Sequence, residues 1–141
     1  MTIRTCIFDA YGTLFDVTAA ARECAEEPGR GKLKECWQRL ASDWRLKQLQ
    51  YSWIRAITKS HTDFWEVTKD SLDFALEANN LSDDQELRER LLSLYWSLES
   101  YPEVPEVLEN LKSNKLETAI LSNGSRAVSY THLTLPTKRI V

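Results

Sequence analysis

Histidine is nearly absent from this chain of 141 residues, which carries only His61 and His132. That scarcity leaves a histidine-based zinc site or a Ser-His-Asp triad little to build on, and His61 reads as a polar residue at a helix boundary. Cysteine is scarce too. Cys6, Cys24 and Cys36 are odd in number and lack metal or redox spacing, so they read as reduced thiols of a cytoplasmic protein. Basic clusters are missing as well: the net charge is −3 and the lysines and arginines are scattered. The electrostatic footprint of a nucleic-acid binder is therefore absent, and an anionic small-molecule substrate needs local capture by one arginine and backbone donors. No leading apolar segment resembles a signal peptide, and no apolar run is long enough to cross a membrane. The length suits one ordinary domain, and no internal repeat or low-complexity tract is visible.

What is present begins with Thr5 to Asp16, Thr-Cys-Ile-Phe-Asp-Ala-Tyr-Gly-Thr-Leu-Phe-Asp. Ile3 to Phe8 reads as a short apolar strand that ends on the carboxylate of Asp9, with a turn at Gly12 directly after it. In an open α/β sheet, ligands bind beyond the carboxyl ends of the strands, so Asp9 stands where chemistry occurs. Gly12 lets the backbone double back, and its N–H groups are expected to face the carboxylate. Taken alone, a strand, an Asp and a turn also describe a helix-capping aspartate.

A helical block comes next. Asp16 is the expected N-cap of a short helix over Val17 to Cys24, and a polar loop runs from Glu26 to Gly31. A long helix is expected from Leu33 to Thr58. Leu33, Trp37, Leu40, Trp44, Tyr51 and Ile54 form one stripe, and Leu46, Leu49, Trp53 and Ile57 a second, which predicts a helix sandwiched between neighbours. Asp63 with Glu66, and Ser82 with Gln85, have capping-box spacing and open two further helices. Pro102 and Pro105 mark a return from this block, Pro105 in the first turn of a helix bearing Val107, Leu108 and Leu111. Asn114 is expected to end that helix in a left-handed turn, and Thr118 to Leu121 reads as a second buried strand.

The second strand runs into Leu121-Ser122-Asn123-Gly124, again small and polar residues at a strand's carboxyl end. A hydroxyl and an amide there can hydrogen-bond a carboxylate and donate to a leaving anion, although Ser-Asn-Gly alone is a turn signal. The long helix contains Trp44-Arg45-Leu46-Lys47-Gln48-Leu49-Gln50-Tyr51-Ser52-Trp53, a charged residue among aromatics. A lone arginine on a helix is ordinarily solvated; a dry aromatic setting would strengthen its charge interactions.

Together these strings resemble the haloacid dehalogenase superfamily, and within it the type II L-2-haloacid dehalogenases. The resemblance covers Ile3 to Ala127. It implies an α/β, Rossmann-like parallel-sheet core with an inserted helical cap, C-terminally truncated: residues 1–16 core, 17–98 cap, 99–127 core. It implies Asp9 as the nucleophile, with Thr13 and Ser122 orienting the site. Asn123 and Arg45 would receive the halide, and Arg45 alternatively the substrate carboxylate. Tyr11 and Phe64 would line the pocket, Phe64 equally suiting a core role. The superfamily's phosphatases carry a second Asp two residues after the nucleophile; here Tyr11 stands there, and a phenol with a pKa near 10 is a poor acid/base near neutral pH. The resemblance implies hydrolysis of L-2-haloalkanoic acids to D-2-hydroxy acids through an aspartyl ester, without metal or other cofactor. It admits a homodimeric parent.

The family's third motif, a lysine that pairs with the nucleophile, and its acidic fourth motif have no counterpart after Ala127. Residues 128–141 read as a non-native tail. Val128 to Thr137, Val-Ser-Tyr-Thr-His-Leu-Thr-Leu-Pro-Thr, resembles the translation of a transposase adapter used in sequencing libraries, so Lys138 and Arg139 do not stand in for the missing lysine. Two other readings stay open: a superfamily phosphatase, which magnesium-dependent phosphate release would reveal, and a catalytically empty fragment. With only two core strands in view, the chain by itself is expected to keep helical circular dichroism while showing broad or absent cooperative melting and no halide release. A sharp thermal transition together with turnover would instead mark it as a complete small enzyme.

Overall fold

Residues 3–124 and the strand at 138–139 are described in a computed structural model, and the chain divides into two units. One comprises Met1–Asp16 with Ser97–Val141, the other Val17–Trp96. The expectations attached to Val128–Thr137 lie outside the described residues.

The first unit carries a parallel sheet in the order β1-β2-β3: β1 (Thr5–Phe8), β2 (Glu117–Ile120) and β3 (Lys138–Arg139). The third strand has no precedent in the sequence pattern. β1 pairs with β2 from Thr5↔Glu117 to Phe8↔Ile120, and β2 with β3 at Ala119↔Lys138 and Ile120↔Arg139. Backbone bonds extend the first ladder at both ends, Glu117 N to Arg4 O and Leu121 N to Phe8 O, each 2.9 Å. Ala119 and Ile120 are buried, while Ile3, Ile7 and Leu121 present apolar surface.

The helix of this unit, here called α5 (Val104–Ser113), has Pro105 in its first turn, where a missing N–H costs nothing. Asn114 does not take the left-handed turn expected of it. Its φ is −84°, and Lys115, at φ 61°, turns the chain instead. Lys115 N donates to Lys112 O at 2.9 Å and Leu116 N to Leu111 O at 3.0 Å, the two bonds of a Schellman motif. Asn114 contributes through its side chain, Nδ2 donating to Asn110 O at 2.8 Å.

The second unit holds α1 (Ala19–Glu26), α2 (Gly31–Ile57), α3 (Phe64–Ala78) and α4 (Gln85–Trp96). Asp16 is not the N-cap of α1. Thr18 occupies that position, and the Asp16 N–H instead donates to Glu99 O at 3.0 Å, inside the sheet-bearing unit. Ala19, Ala20, Ala21, Cys24 and Ala25 form the buried face of α1, which packs on α2 and α4. Small side chains here let the helices approach closely. Burial, and next the Glu27 carboxylate, push the Cys24 thiol up to about 11. Cys6, Cys24 and Cys36 are all unpaired.

α2 differs from the sandwiched helix that its two apolar stripes predict. Leu33, Leu40 and Trp44 are buried, as are Ala41 and Gln48. Leu46, Trp53, Ile54 and Ile57 are exposed. One face meets α1 and α3, and the second stripe does not find an equivalent cover within this bundle. At the start of α3 the Asp63 carboxylate accepts from Trp65 N at 2.6 Å, an N-cap bond to the second helical N–H, whereas Glu66 turns to Lys69 Nζ at 2.5 Å, so Asp63 caps the helix without the expected reciprocal box. The Ser82 and Gln85 pairing is replaced. Asp84, directly before α4, accepts from Leu87 N at 2.9 Å, and Gln85 bonds Glu89. An Asp adjoining the first helical residue reaches the third N–H of the helix, which a Ser two residues further out cannot.

Leu40 is fully buried and Ile57 is 81 % exposed, although both belong to apolar stripes of α2. Leu40→Ala is expected to cost the helical unit about 2–5 kcal/mol. Ile57→Ala should change it by less than about 0.5 kcal/mol. Urea unfolding followed by helical ellipticity measures both, and equal losses would contradict this burial pattern.

Candidate active site

Asp9 follows Phe8, the last residue of β1, and is exposed. Because Phe8 pairs with Ile120 and its carbonyl accepts from Leu121 N, the residues after the two strands leave the sheet side by side. Asp9 and Ser122 are thus on neighbouring strand ends, brought there by parallel pairing. Ser122 is half-buried and Asn123 exposed.

The loop after Asp9 closes on itself. The Ala10 carbonyl accepts from Leu14 N at 2.9 Å, Phe15 N at 3.0 Å and Thr13 N at 3.3 Å, and Gly12 N donates to Phe15 O at 2.9 Å. Gly12 has φ +88°, a conformation that glycine takes without the Cβ penalty. The N–H groups of residues 12–15 are therefore engaged by backbone carbonyls, and the expectation that they face the Asp9 carboxylate is not met. Rigidity is what they supply. Tyr101 N reaches Leu14 O at 3.0 Å, and Phe15 bridges to Ser100, so the loop is also tied to the segment leading into α5. Thr13 remains exposed on its surface.

Tyr11, 5 % exposed, joins the two motifs. A Cβ placed on Gly124 would lie 2.7 Å from Tyr11 Cε2, 3.1 Å from its hydroxyl oxygen and 3.3 Å from Cζ. The second motif therefore ends on glycine because the ring of Tyr11 occupies the space a side chain would need. Gly124 N donates to Ser122 Oγ at 3.2 Å, which shapes that turn. Local sequence pattern marks the glycine as a turn residue; its role as a seat for Tyr11 depends on a contact between motifs far apart in the chain.

Arg45 and Phe64 belong to the other unit, on α2 and at the start of α3, and both are half-buried. Arg45 Nη1 donates to Gln48 Oε1 at 2.9 Å. Gln48, 1 % exposed, was not among the expected site residues. Its signal was present: an amide four residues after Trp44, on the buried stripe. Gln48 Nε2 donates to Thr68 Oγ1 at 2.8 Å and to Tyr95 Oη at 3.0 Å, and Thr68 Oγ1 donates to Phe64 O at 2.8 Å. Arg45 and the Phe64 backbone are thereby ends of one hydrogen-bonded chain. Among the described residues no group of three or more His, Cys, Asp or Glu is placed to hold a metal ion, and no helix is long and apolar enough to cross a membrane.

Residues 3–136 match the family described as haloacid dehalogenase-like hydrolase. The chain is 44% identical over 124 residues to (S)-2-haloacid dehalogenase 4A of Burkholderia cepacia, covering 88% of this chain and 52% of that protein. It is 45% identical over 123 residues to (S)-2-haloacid dehalogenase 1 of Pseudomonas sp. strain CBS-3, at 87% and 52% coverage. Among solved structures, L-2-haloacid dehalogenase from Xanthobacter autotrophicus with chloropropionic acid covalently bound matches at TM-score 0.73 and 35% identity, over 91% of this chain and 49% of that one. The chain spans about half the length of the curated relatives it matches.

The Tyr11–Gly124 contact is testable without any assay of function. In a protein that joins residues 1–127 to the remaining half of a curated relative, Gly124→Ala is expected to destabilise the sheet-bearing unit by about 1–3 kcal/mol, the usual cost of overpacking, and to alter the tyrosine near-ultraviolet dichroism. Tyr11→Ala should largely absorb the added methyl, whereas Tyr11→Phe should not, since Cε2 makes the shortest contact. A double-mutant cycle in which Gly124→Ala and Tyr11→Ala simply add would remove the contact as the reason for glycine.

Proposed function

The chain belongs to the haloacid dehalogenase-like hydrolases, and from that premise we propose that it carries the nucleophile-bearing part of an (S)-2-haloacid dehalogenase. The observation that carries this reading is Asp9, an exposed carboxylate at the end of β1 beside the Ser122 end of β2. The reaction proposed is attack by an Asp9 carboxylate oxygen on C2 of an L-2-haloalkanoic acid, in line with the carbon–halogen bond. The new C–O bond forms as the halide departs with the bonding electrons, and the configuration at C2 inverts. Water then adds to the carbonyl of the aspartyl ester, the D-2-hydroxy acid leaves, and the Asp9 carboxylate is regenerated. The relative solved with chloropropionic acid covalently bound supports an intermediate of this kind.

The remaining residues take roles in the same proposal. Thr13 and Ser122 orient Asp9. Asn123 and Arg45 receive the halide, or Arg45 the substrate carboxylate, and Tyr11 and Phe64 line the pocket. Residues 17–98 are the helical cap in this proposal, which the separate helical unit Val17–Trp96 supports. Halide is a weak base and leaves unprotonated, so a buried tyrosine suffices where a phosphatase places its second Asp. The three unpaired thiols support a reducing, cytoplasmic setting. Groups corresponding to the family's third and fourth motifs lie outside Ile3–Ala127, and turnover is proposed only for a protein that contains them.

The test joins residues 1–127 to the remaining half of the Burkholderia cepacia relative and follows halide release from L-2-chloropropionate. Asp9→Asn should lower the rate by about three orders of magnitude or more, while slow recovery on storage would be deamidation back to Asp. EDTA should leave the unsubstituted protein active. Full activity of freshly purified Asp9→Asn would sink the assignment, and loss with EDTA restored by magnesium would favour the phosphatase reading.

A further inference from the structure

We propose that Gln48 is a positioning residue that holds the Arg45 guanidinium in a fixed orientation for an anion, an inference that rests on the anion-binding role proposed for Arg45. Gln48 is one of four polar residues in the buried set of the described chain, and an amide that deep is costly unless each of its groups is partnered.

The network decides which way the amide faces. The Thr68 hydroxyl commits its proton to Phe64 O, at 2.8 Å, so towards Gln48 it can only accept. Gln48 must therefore present Nε2 to Thr68 Oγ1, at 2.8 Å, whereas Tyr95 Oη lies 3.0 Å from Nε2 and 3.2 Å from Oε1 and suits either orientation. Oε1 then accepts from Arg45 Nη1 at 2.9 Å, a guanidinium having only donors to offer, and from the Tyr95 hydroxyl at 3.2 Å. Both ends of the amide agree on one orientation.

Its surroundings are equally tied down. Trp44 Nε1 and Ser71 Oγ both donate to Thr68 O, at 2.9 Å and 3.0 Å. The Trp44 and Tyr95 rings lie 4.8 Å apart. Three helices, α2, α3 and α4, thus converge on one amide whose outward acceptor meets the arginine.

An arginine side chain has many rotamers, and a charged hydrogen bond to a buried acceptor selects among them. An amide oxygen does so without cancelling the positive charge. A carboxylate at the same place would hold the guanidinium as well and neutralise it. Glutamine at position 48 therefore orients the guanidinium and adds no negative charge beside it.

The first measurement uses the joined protein: Arg45 Nη nitrogens should give separate 15N resonances from hindered rotation, merging in Gln48→Met. Averaged signals in the joined protein without substitution would overturn the proposal. The second uses the joined protein and L-2-chloropropionate. Gln48→Met fills the space without an acceptor and should raise KM roughly tenfold with a smaller change in kcat, the loss of about one charged hydrogen bond. Gln48→Glu keeps shape and acceptor, so it decides the matter if Gln48→Met does not fold. Its carboxylate should also raise KM. Neither substitution should add to the effect of Arg45→Ala. If both leave KM unchanged while Arg45→Ala raises it, or lower Tm and kcat together at constant KM, Gln48 is structural only and the proposal falls. If Arg45→Ala itself changes neither constant, the anion role of Arg45 falls first, and the positioning role with it.

Discussion

Parallel pairing of β1 with β2 is the constraint from which the candidate site derives. A parallel pair cannot be closed by a hairpin and needs a crossover connection, so the two strands come from distant parts of the chain, Thr5–Phe8 and Glu117–Ile120. Parallel strands also point the same way, so both carboxyl ends emerge on one edge. Asp9 and Ser122-Asn123-Gly124 are neighbours for that reason alone. An antiparallel arrangement of the same two segments would put them at opposite ends of the sheet. The ladder bonds at Arg4 and at Leu121 carry the same register past both ends of the paired strands. A slip by one residue would reverse which side chains face the core.

Much of this was legible in the residues, because the signals were local. An apolar run ending on Asp9, a glycine at a turn, Pro105 in a first turn and Asp63 before α3 each act within a few positions. Where the outcome depended on competition between neighbours, local reading was less accurate. Ser82 and Asp84 can both cap α4, and Asp84 does because it adjoins the first helical residue. Asn114 and Lys115 can both end α5. Asn114 keeps a negative φ as the C-cap, its side chain bonded to Asn110 O, and the left-handed position passes to lysine. The second apolar stripe of α2 misled for a related reason. Periodicity identifies a face as apolar, and a partner element must exist to cover it.

The contacts least visible in the sequence are those between motifs. Gly124 looks like any turn glycine until Tyr11 is placed against it. Gln48 sits in a stretch read for its arginine and aromatics, yet its amide is the junction between Arg45 and the α3 and α4 helices. In both cases a residue type that costs stability, a glycine or a buried amide, is explained by what it leaves available. Glycine leaves space, and the amide leaves an acceptor.

Tyr11 joins the packing argument to the chemical one. A phosphatase expels an alkoxide or hydroxyl oxygen, which needs a proton, and the superfamily's second Asp delivers it. In the proposed reaction a carbon–halogen bond breaks to give an anion that is stable without protonation, so that reaction requires no acid at that position. The site is then released to serve packing. A large ring there excludes water and braces the second motif through Gly124, while an aspartate would bring a charge into a place that is 5 % exposed and whose desolvation would be costly. The replacement of a short acid by an aromatic is thus coherent with both the burial seen at Tyr11 and the unprotonated leaving group proposed for Asp9, and the same residue would be a poor choice for phosphoryl transfer on either count.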